Sequence, residues 1–147
     1  MTSLQATDAV VEQILRTYDS ITTVGASNSP DKAAHYVPEH MAEHGWRIVP
    51  VNPRLAAEGA QVLGQRVYAT LADVPRPVGL VNVFRPSEQA PEIARQAVAA
   101  GATALWLQLH IASDEARHIA TDAGLLYVEN RCLIIEQRRL GLDAPRA

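Results

Sequence analysis

Five short apolar runs, most of them separated from the next by a segment with helical spacing, are the feature that most strongly limits how this chain can fold. The runs lie at 21–24, 47–51, 79–83, 104–107 and 125–128. Their β-branched and leucine-rich residues are typical of strands that are buried on both faces of a sheet. Because strands that alternate with helices pair in parallel, the pattern predicts a parallel sheet with helices packed on its faces.

Helices are predicted between these strands. They lie at 8–18, 31–44 and 88–100, and a further helix begins at 114. Gly45, Gly101 and Gly124 follow the last three of them, where glycine commonly ends a helix. Ser87 and Ser113 each stand just before a helix and are predicted to cap it with their hydroxyl oxygens.

Three segments are less regular. Pro38 has no amide hydrogen, so the second helix either begins near Asp31 or starts closer to Tyr36, which would place Pro38 in its first turn. Residues 54–65 are polar, contain two glycines and are predicted to be mostly loop, with a short edge strand following at 66–68. The tail after Leu140 is predicted to fray.

These elements predict an α/β protein of Rossmann-like, doubly wound architecture. Its sheet is expected to be mainly parallel, with five or six strands and helices on both faces. No repeat, low-complexity run or linker divides the sequence, so residues 1–147 are predicted to form one domain with its core at about 20–140.

Composition limits the classes of partner. Hydrophobic residues make up 48% of the chain, which is enough for one core, and the net charge of −3 gives no basic surface for nucleic acid. No apolar stretch approaches the roughly 20 residues of a membrane-spanning helix. The N-terminus carries acidic residues and lacks the apolar region of a signal peptide. We therefore expect a cytoplasmic protein that binds neither nucleic acid nor membrane.

The loop after the first strand is the strongest candidate for a ligand site. In an open parallel sheet, ligands bind beyond the carboxyl ends of the strands. This loop consists of Gly25, Ala26, Ser27 and Asn28. The glycine lets the backbone turn and a ligand approach, and the following helix offers unpaired amides to a phosphate. The sequence predicts phosphate binding here; the alternative is a plain strand-to-helix turn.

The residues at the end of the second strand distinguish NAD from cofactors that carry a phosphate on the adenosine ribose. Enzymes that use NAD commonly place an acid there to hold the ribose hydroxyls. Here the strand ends in Asn52, Pro53 and Arg54. Arg54 could bind the phosphate on an adenosine ribose, which both NADP and coenzyme A carry. The alternative is a solvated surface arginine.

Other candidates follow the later strands. Phe84, Arg85 and Pro86 come after the third long strand, and Arg85 could face a diphosphate. Gln108 and Arg131 are comparable candidates, each with a structural alternative.

Cys132 is the only cysteine, so the chain can form no intramolecular disulfide. It is either a thiol activated by Arg131 or a buried, inert side chain. We find no nucleophile elbow, P-loop or metal-ligand cluster in the sequence, and the histidines form no convincing site. The chain is therefore predicted to be a binding protein rather than an enzyme.

Several stretches resemble one family in order and spacing. They are 24–27 (Val-Gly-Ala-Ser), 48–53 (Ile-Val-Pro-Val-Asn-Pro), 64–68, 83–88 (Val-Phe-Arg-Pro-Ser-Glu), 106–109 and 130–132 (Asn-Arg-Cys). In these stretches the chain resembles the small stand-alone CoA-binding proteins of bacteria. Those proteins are similar to the CoA-binding domain of the succinyl-CoA synthetase alpha subunit.

The resemblance implies a CoA-binding Rossmann-like domain. By that likeness Gly25 to Asn28 would meet the phosphates, Asn52 to Arg54 the adenosine end, and Phe84 to Pro86 the adenine or pantetheine side. The chain departs from the family pattern at His35, Asn82, His110 and Asn130. The synthetase's second domain, with its phosphorylated histidine, is not expected here.

Three functions remain open at this stage. The first is non-enzymatic binding of coenzyme A or acyl-CoA as a carrier, sensor or partner module for another protein. The second is an oxidoreductase or redox sensor that uses NAD(P). The third is a structural interaction domain with a vestigial pocket. If the loop binds phosphate, Gly25→Val is expected to abolish binding while sparing the fold.

Overall fold

The computed structural model describes residues 3–145, with side chains from residue 6 onward. The helices are α1 (Ser3–Thr17), α2 (Ala33–Glu43), α3 (Pro53–Ala57), α4 (Ala90–Ala99), α5 (Asp114–Asp122) and α6 (Leu133–Leu140). The strands are β1 (Ser20–Val24), β2 (Arg47–Val51), β3 (Gln61–Val62), β4 (Gln65–Arg66), β5 (Gly79–Val83), β6 (Ala102–Leu107) and β7 (Leu126–Val128). None of the helices in this range is long and apolar enough to cross a membrane.

The main sheet has five strands in the order β2-β1-β5-β6-β7, and every neighbouring pair is parallel. All five strands predicted from the apolar runs are present, and the Rossmann-like α/β class is confirmed. The chain leaves β1 toward β2 at one edge and then returns to β5 on the other side of β1. This reversal opens a crevice between the loops after β1 and β5, where open α/β sheets bind ligands.

Helices cover both faces of the sheet. On one face, α4 and α5 pack their buried alanines and Ile93 against Val81 and Leu105. On the other face, α1, α2 and α6 pack against a group that includes the fully buried Trp106. The indole of Trp106 donates to the backbone oxygen of Arg131 at 2.8 Å, so this tryptophan is a core residue with its polar group satisfied.

Pro38 lies inside α2, because the helix begins at Ala33 and not nearer Tyr36. A proline cannot donate to the carbonyl four residues earlier, which is that of Ala34. In this protein the Ala34 carbonyl accepts the amide of Ser27 instead, at 3.2 Å. The acceptor released by Pro38 therefore ties the loop after β1 to the first turn of α2.

The prediction that residues 54–65 are mostly loop was wrong, because this segment contains most of α3, the strand β3 and the start of β4. The side chain of Asn52 caps α3 by accepting the amide of Leu55 at 3.1 Å, and the residues that follow Pro53 are good helix formers. Strands β3 and β4 form a short antiparallel hairpin. Tyr68 then pairs with the outer edge of β2 through bonds to Pro50 and Asn52, close to the predicted edge strand.

The two predicted serine caps have different outcomes. Ser113 caps α5 as predicted, with its hydroxyl accepting the amide of Ala116 at 3.0 Å. Ser87 caps nothing, because a 3-10 turn at Ser87–Gln89 precedes α4 and makes no side-chain cap. Its hydroxyl instead accepts the amide of Ala112 at 3.1 Å and so joins this turn to the loop after β6.

The tail beyond Leu140 does not fray through residue 145. The amide of Ala144 donates to the His44 carbonyl at 2.9 Å, and Gln137 of α6 donates to the Leu142 carbonyl at 2.9 Å. His40 bonds the same Gln137 side chain at 2.7 Å, so this part of α2 packs against α6. The prediction of a frayed tail was wrong because α6, which makes these contacts, was not predicted from the sequence.

Candidate functional site

A cleft of about 900 Å³ lies at the carboxyl ends of the strands, between the loops after β1 and β5. The loop after β2, the turn at 69–71 and one side of α4 complete its walls. Its position is the crevice created by the reversal of strand order, where the sequence predicted the site. Of the thirteen predicted site residues, eight line the cleft: Gly25, Ala26, Ser27, Asn52, Pro53, Arg54, Phe84 and Arg85.

Glycine is required at position 25 by the backbone conformation there and by the atoms that lie close to it. Its φ of +88° is in the left-handed region, and its amide donates to the Val51 carbonyl at 2.9 Å. A Cβ at this position would lie 2.9 Å from Cδ of Arg85 and 3.4 Å from the carbonyl carbon of Phe84. The loops after β1 and β5 can therefore lie this close together only because residue 25 has no side chain.

The remaining loop residues differ in what they offer to a ligand. Ser27 uses its amide to bond Ala34, and its hydroxyl accepts the amide of Ser29 at 3.0 Å, so its O–H can still donate. Asn28 is exposed and lies outside the cleft wall. Within residues 3–145, the amides of Ala33 and Ala34 in the first turn of α2 have no acceptor. These two amides are the donors that an anion at this helix end would meet.

Asn52 positions the loop rather than presenting a free side chain. Its amide nitrogen donates to the carbonyl of Ala26 at 2.9 Å, and its oxygen accepts the amide of Leu55 at 3.1 Å. Pro53 follows as the first residue of α3, where a missing amide hydrogen is no loss. The end of β2 and the loop after β1 are therefore held together by one carboxamide.

Two predicted arginines and a lysine supply positive charge to the cleft. Arg54 is exposed and pairs with Glu58 at 3.2 Å, a surface ion pair that contributes little and leaves the guanidinium able to bind a ligand. Arg85 packs its stem over Gly25 and donates from Nε to Gln89 at 3.0 Å. Lys32 lies at the mouth, and its amine has no partner among residues 3–145. Phe84 is half-buried in the wall, whereas Pro86 lies outside it.

The structure places the predicted Gln108 and Arg131 outside the cleft. Gln108 is buried, and its side-chain oxygen accepts from Asn82 and from the amide of Leu133 at the start of α6. Arg131 is paired with Asp8 at 2.8 Å and with the buried carboxylate of Glu136 at 2.5 Å. Both side chains therefore hold α6, and Arg131 also holds α1, against the sheet.

The ion pair shifts the pKa values of Asp8 and Arg131. The hydrogen bond from Arg131 is the main cause that holds the pKa of Asp8 below its usual value, with Arg139 adding to the effect and burial opposing it. The same hydrogen bond raises the pKa of Arg131. Cys132 is half-buried at the start of α6, where it packs against the core beneath α1, α2 and α6 and not in the cleft wall.

Sequence reasoning missed one wall of the cleft. Thr70 and Leu71 close it on one side, and α4 and the turn before it contribute Gln89, Glu92 and Ile93. Nothing in the composition of α4 distinguishes these residues from an ordinary exposed helix face. A signal was available in the topology, because a helix that follows β5 begins beside the crevice. No cluster of three or more metal-ligating side chains occurs in the described part of the chain.

Comparison with known proteins assigns this architecture to a family. Residues 19–138 match the model of the CoA binding domain family, so the chain belongs to that family. The uncharacterized protein YneT of Bacillus subtilis is 31% identical over 125 residues, which cover 85% of this chain and 90% of that protein.

Solved structures show the same fold. A hypothetical protein from Pyrococcus horikoshii OT3 is 36% identical, with a TM-score of 0.84 and coverage of 91% of this chain and 92% of the other. A dinucleotide-forming acetyl-coenzyme A synthetase from Candidatus Korarchaeum cryptofilum is similar over 82% of this chain and 28% of its own. At 20% identity and a TM-score of 0.66, that likeness concerns the fold alone.

Proposed function

We propose that this chain binds coenzyme A or an acyl-CoA in the cleft, as a cytoplasmic carrier, sensor or partner module without a catalytic role of its own. The observation that carries the proposal is the cleft at the strand-order reversal, where Gly25 brings the loops after β1 and β5 into contact. Membership of the CoA binding domain family supports the choice of ligand.

The phosphates of the ligand are proposed to bind at the start of α2. The amides of Ala33 and Ala34 are free of acceptors there, and the positive end of the helix dipole favours an anion. Lys32 and Arg85 add two cationic groups on either side of the loop. A diphosphate accepts hydrogen bonds from both kinds of donor, so the arrangement suits it better than a single carboxylate.

The adenosine end is proposed to lie near Arg54. A guanidinium can bind a ribose phosphate through two parallel hydrogen bonds, and only the weak surface pair with Glu58 competes for it. Asn52, at the end of β2, is fully used by Ala26 and Leu55 and has no carboxylate for ribose hydroxyls. This geometry favours a phosphorylated adenosine over NAD.

The side chains that line the cleft support binding. They include two arginines and a lysine, the acids Glu88 and Glu92, the side-chain amides of Gln89 and Gln96, and apolar side chains such as Phe84 and Ile93. These groups can hold and orient an anion with an organic body, so we assign them recognition and no chemical step. The proposed binding unit is the whole of residues 1–147.

A thermal-shift series with CoA, acetyl-CoA, NAD, NADP and ATP at matched concentrations tests the proposal. A ligand at one hundred times its dissociation constant stabilises the folded state by about 2.7 kcal/mol. We expect CoA and acetyl-CoA to raise the Tm and the other three to leave it nearly unchanged. The substitution Arg47→Ala, which removes an exposed arginine outside this cleft, is the control and should give the same shifts.

Two results would overturn the proposal. A shift with NADP or NAD in place of CoA would indicate the redox alternative. The absence of a shift with all five ligands would favour an interaction domain whose cleft is vestigial.

A further inference from the structure

Exposed apolar side chains gather at the carboxyl end of the sheet, outside the cleft. Among residues 6–145, the large apolar side chains that are well exposed are Tyr36 at 45%, Leu109 at 40% and Ile135 at 55%. Leu109 follows β6 directly, Ile135 lies in the first turn of α6, and Tyr36 lies in the first turn of α2. Of these three, Leu109 and Ile135 follow β6 and β7, which are neighbouring strands of the sheet.

The segments that carry Leu109 and Ile135 are bonded to each other. The amide of His110 donates to the side-chain oxygen of Asn130 at 2.7 Å, and the amide of Asn130 donates to the carbonyl of Ile111 at 3.0 Å. The amide of Leu133 donates to the side chain of Gln108 at 3.4 Å. The loops after β6 and β7 therefore form one braced surface.

Two residues of this surface have an unfavourable backbone. His110 has a φ of +71° and Asn130 a φ of +57°, and neither is a glycine. Residues other than glycine rarely adopt this left-handed conformation, although asparagine and histidine do so more often than most, and where it persists it is enriched at ligand sites. The bond between His110 and Asn130 holds both residues in this conformation.

The surface is continuous with the cleft. Phe84 lines the cleft after β5, and β6 and β7 are the next two strands along the sheet. Neighbouring strands lie about 4.8 Å apart, so the ends of β5 and β7 are separated by about 10 Å. The amide of Gln108 bonds the Val83 carbonyl at 3.1 Å, which places the Leu109 loop directly beside Phe84.

We propose that the ligand is an acyl-CoA whose apolar acyl group lies on Leu109 and Ile135. This inference rests on the proposed function, in which the phosphates of coenzyme A occupy the start of α2. The pantetheine arm then leaves the cleft past Phe84, and the thioester end reaches the surface formed by the loops after β6 and β7. A chain of methylene groups is the part of the ligand that these two side chains can remove from water.

Titration calorimetry with CoA, acetyl-CoA, butyryl-CoA and octanoyl-CoA tests this placement. Each methylene fully removed from water raises affinity by about fourfold, and contact on one side gives a smaller factor. We expect affinity to rise with chain length and octanoyl-CoA to bind at least about tenfold more tightly than CoA. Equal affinities for CoA and octanoyl-CoA would overturn the inference and leave the proposed function standing, whereas no binding of either would overturn both.

Variants locate the acyl group. The measured quantity is the ratio of octanoyl-CoA to CoA affinity within each protein, which cancels effects on the shared part of the ligand. Leu109→Glu and Ile135→Glu should each lower this ratio several-fold. Tyr36→Glu removes an equally exposed apolar side chain from α2 and should preserve it. A ratio that falls for Tyr36→Glu but not for the other two would place the acyl group on α2 and contradict the inference.

Discussion

The side-chain amide of Asn52 donates to the carbonyl of Ala26 at 2.9 Å, while its oxygen accepts the amide of Leu55 at 3.1 Å. One side chain thus fixes the position of the loop after β1 and also caps α3. The two bonds act on the same cleft, because both the loop and α3 line it.

Asn52→Asp should separate the two roles. Aspartate is a good helix cap, so the bond to Leu55 is retained, but it cannot donate to Ala26. We expect a loss of about 1 kcal/mol in the free energy of unfolding and a larger relative loss of CoA affinity, because the loop moves and a carboxylate faces the anion. Urea unfolding and calorimetry measure the two effects. Ser113→Ala, which removes the cap of α5, should cost similar stability but no affinity.

Arg54→Ala should weaken binding of CoA more than binding of dephospho-CoA, because we place the ribose 3′-phosphate at this guanidinium. A bidentate contact to a phosphate corresponds to about 1.5–3 kcal/mol, so the CoA affinity should fall at least about tenfold. Arg16→Ala removes an arginine with the same kind of i,i+4 surface ion pair, to Glu12 at 2.9 Å and outside the cleft, and is the control. Equal losses for both ligands would remove the proposed role of Arg54.

Gly25→Ala should reduce both stability and binding, which modifies the expectation that substitution here spares the fold. The cost has two sources: a φ of +88° and a Cβ that would meet Arg85 at 2.9 Å. Gly124→Ala isolates the first, since Gly124 has a φ of +85° and no atom within 4 Å of its Cβ position. We expect about 1 kcal/mol of destabilisation for Gly124→Ala and more for Gly25→Ala. Thermal unfolding of both variants gives the comparison, and equal costs would contradict the clash.

The ion pair between Asp8 and Arg131 should make stability depend on pH in acid. The folded-state pKa of Asp8 lies below its ordinary value of 3.8, because Arg131 donates a hydrogen bond to the carboxylate. The unfolded chain therefore takes up the proton first, so the stabilisation is present above pH 3.8 and is lost as the pH falls through the folded-state pKa.

Urea unfolding of the natural chain and Asp8→Asn between pH 6 and pH 2 measures this dependence. The two proteins should differ in stability near pH 6 and converge in acid. Asp122→Asn removes an exposed carboxylate that has no ion pair in the described part of the chain, and serves as the control. A difference that stays constant down to pH 2 would show that Asp8 is not stabilised in its charged form.

The sheet and the centre of the site could be predicted because they depend on local patterns. Apolar runs marked all five strands, and the rule that ligands bind at carboxyl strand ends placed Gly25, Asn52 and Phe84 at one cleft. Arg54 and Arg85 followed from the same rule, since they come shortly after β2 and β5, the two strands that flank β1 in the sheet.

The same rule failed at the far strands for a physical reason. Gln108 and Arg131 also follow strands, but α6 covers the ends of β6 and β7, so both side chains are used to hold this helix. Ser87 was assigned to a cap because the 3-10 turn before α4 leaves no clear sequence signal. The α4 wall depends on how a helix lies over the sheet, which no local pattern contains.

Pro38 is unfavourable for the helix α2 but favourable for the contact between α2 and the loop after β1. Alanine at this position would be the better helix former by about 3 kcal/mol, and it would restore an amide that competes with Ser27 for the Ala34 carbonyl. Selection for helix stability alone would therefore remove the proline, and with it the free acceptor that sets where the glycine loop lies. Pro38 therefore weakens α2 but leaves the Ala34 carbonyl free to accept the amide of Ser27. That bond holds the loop after β1 in place without any ligand.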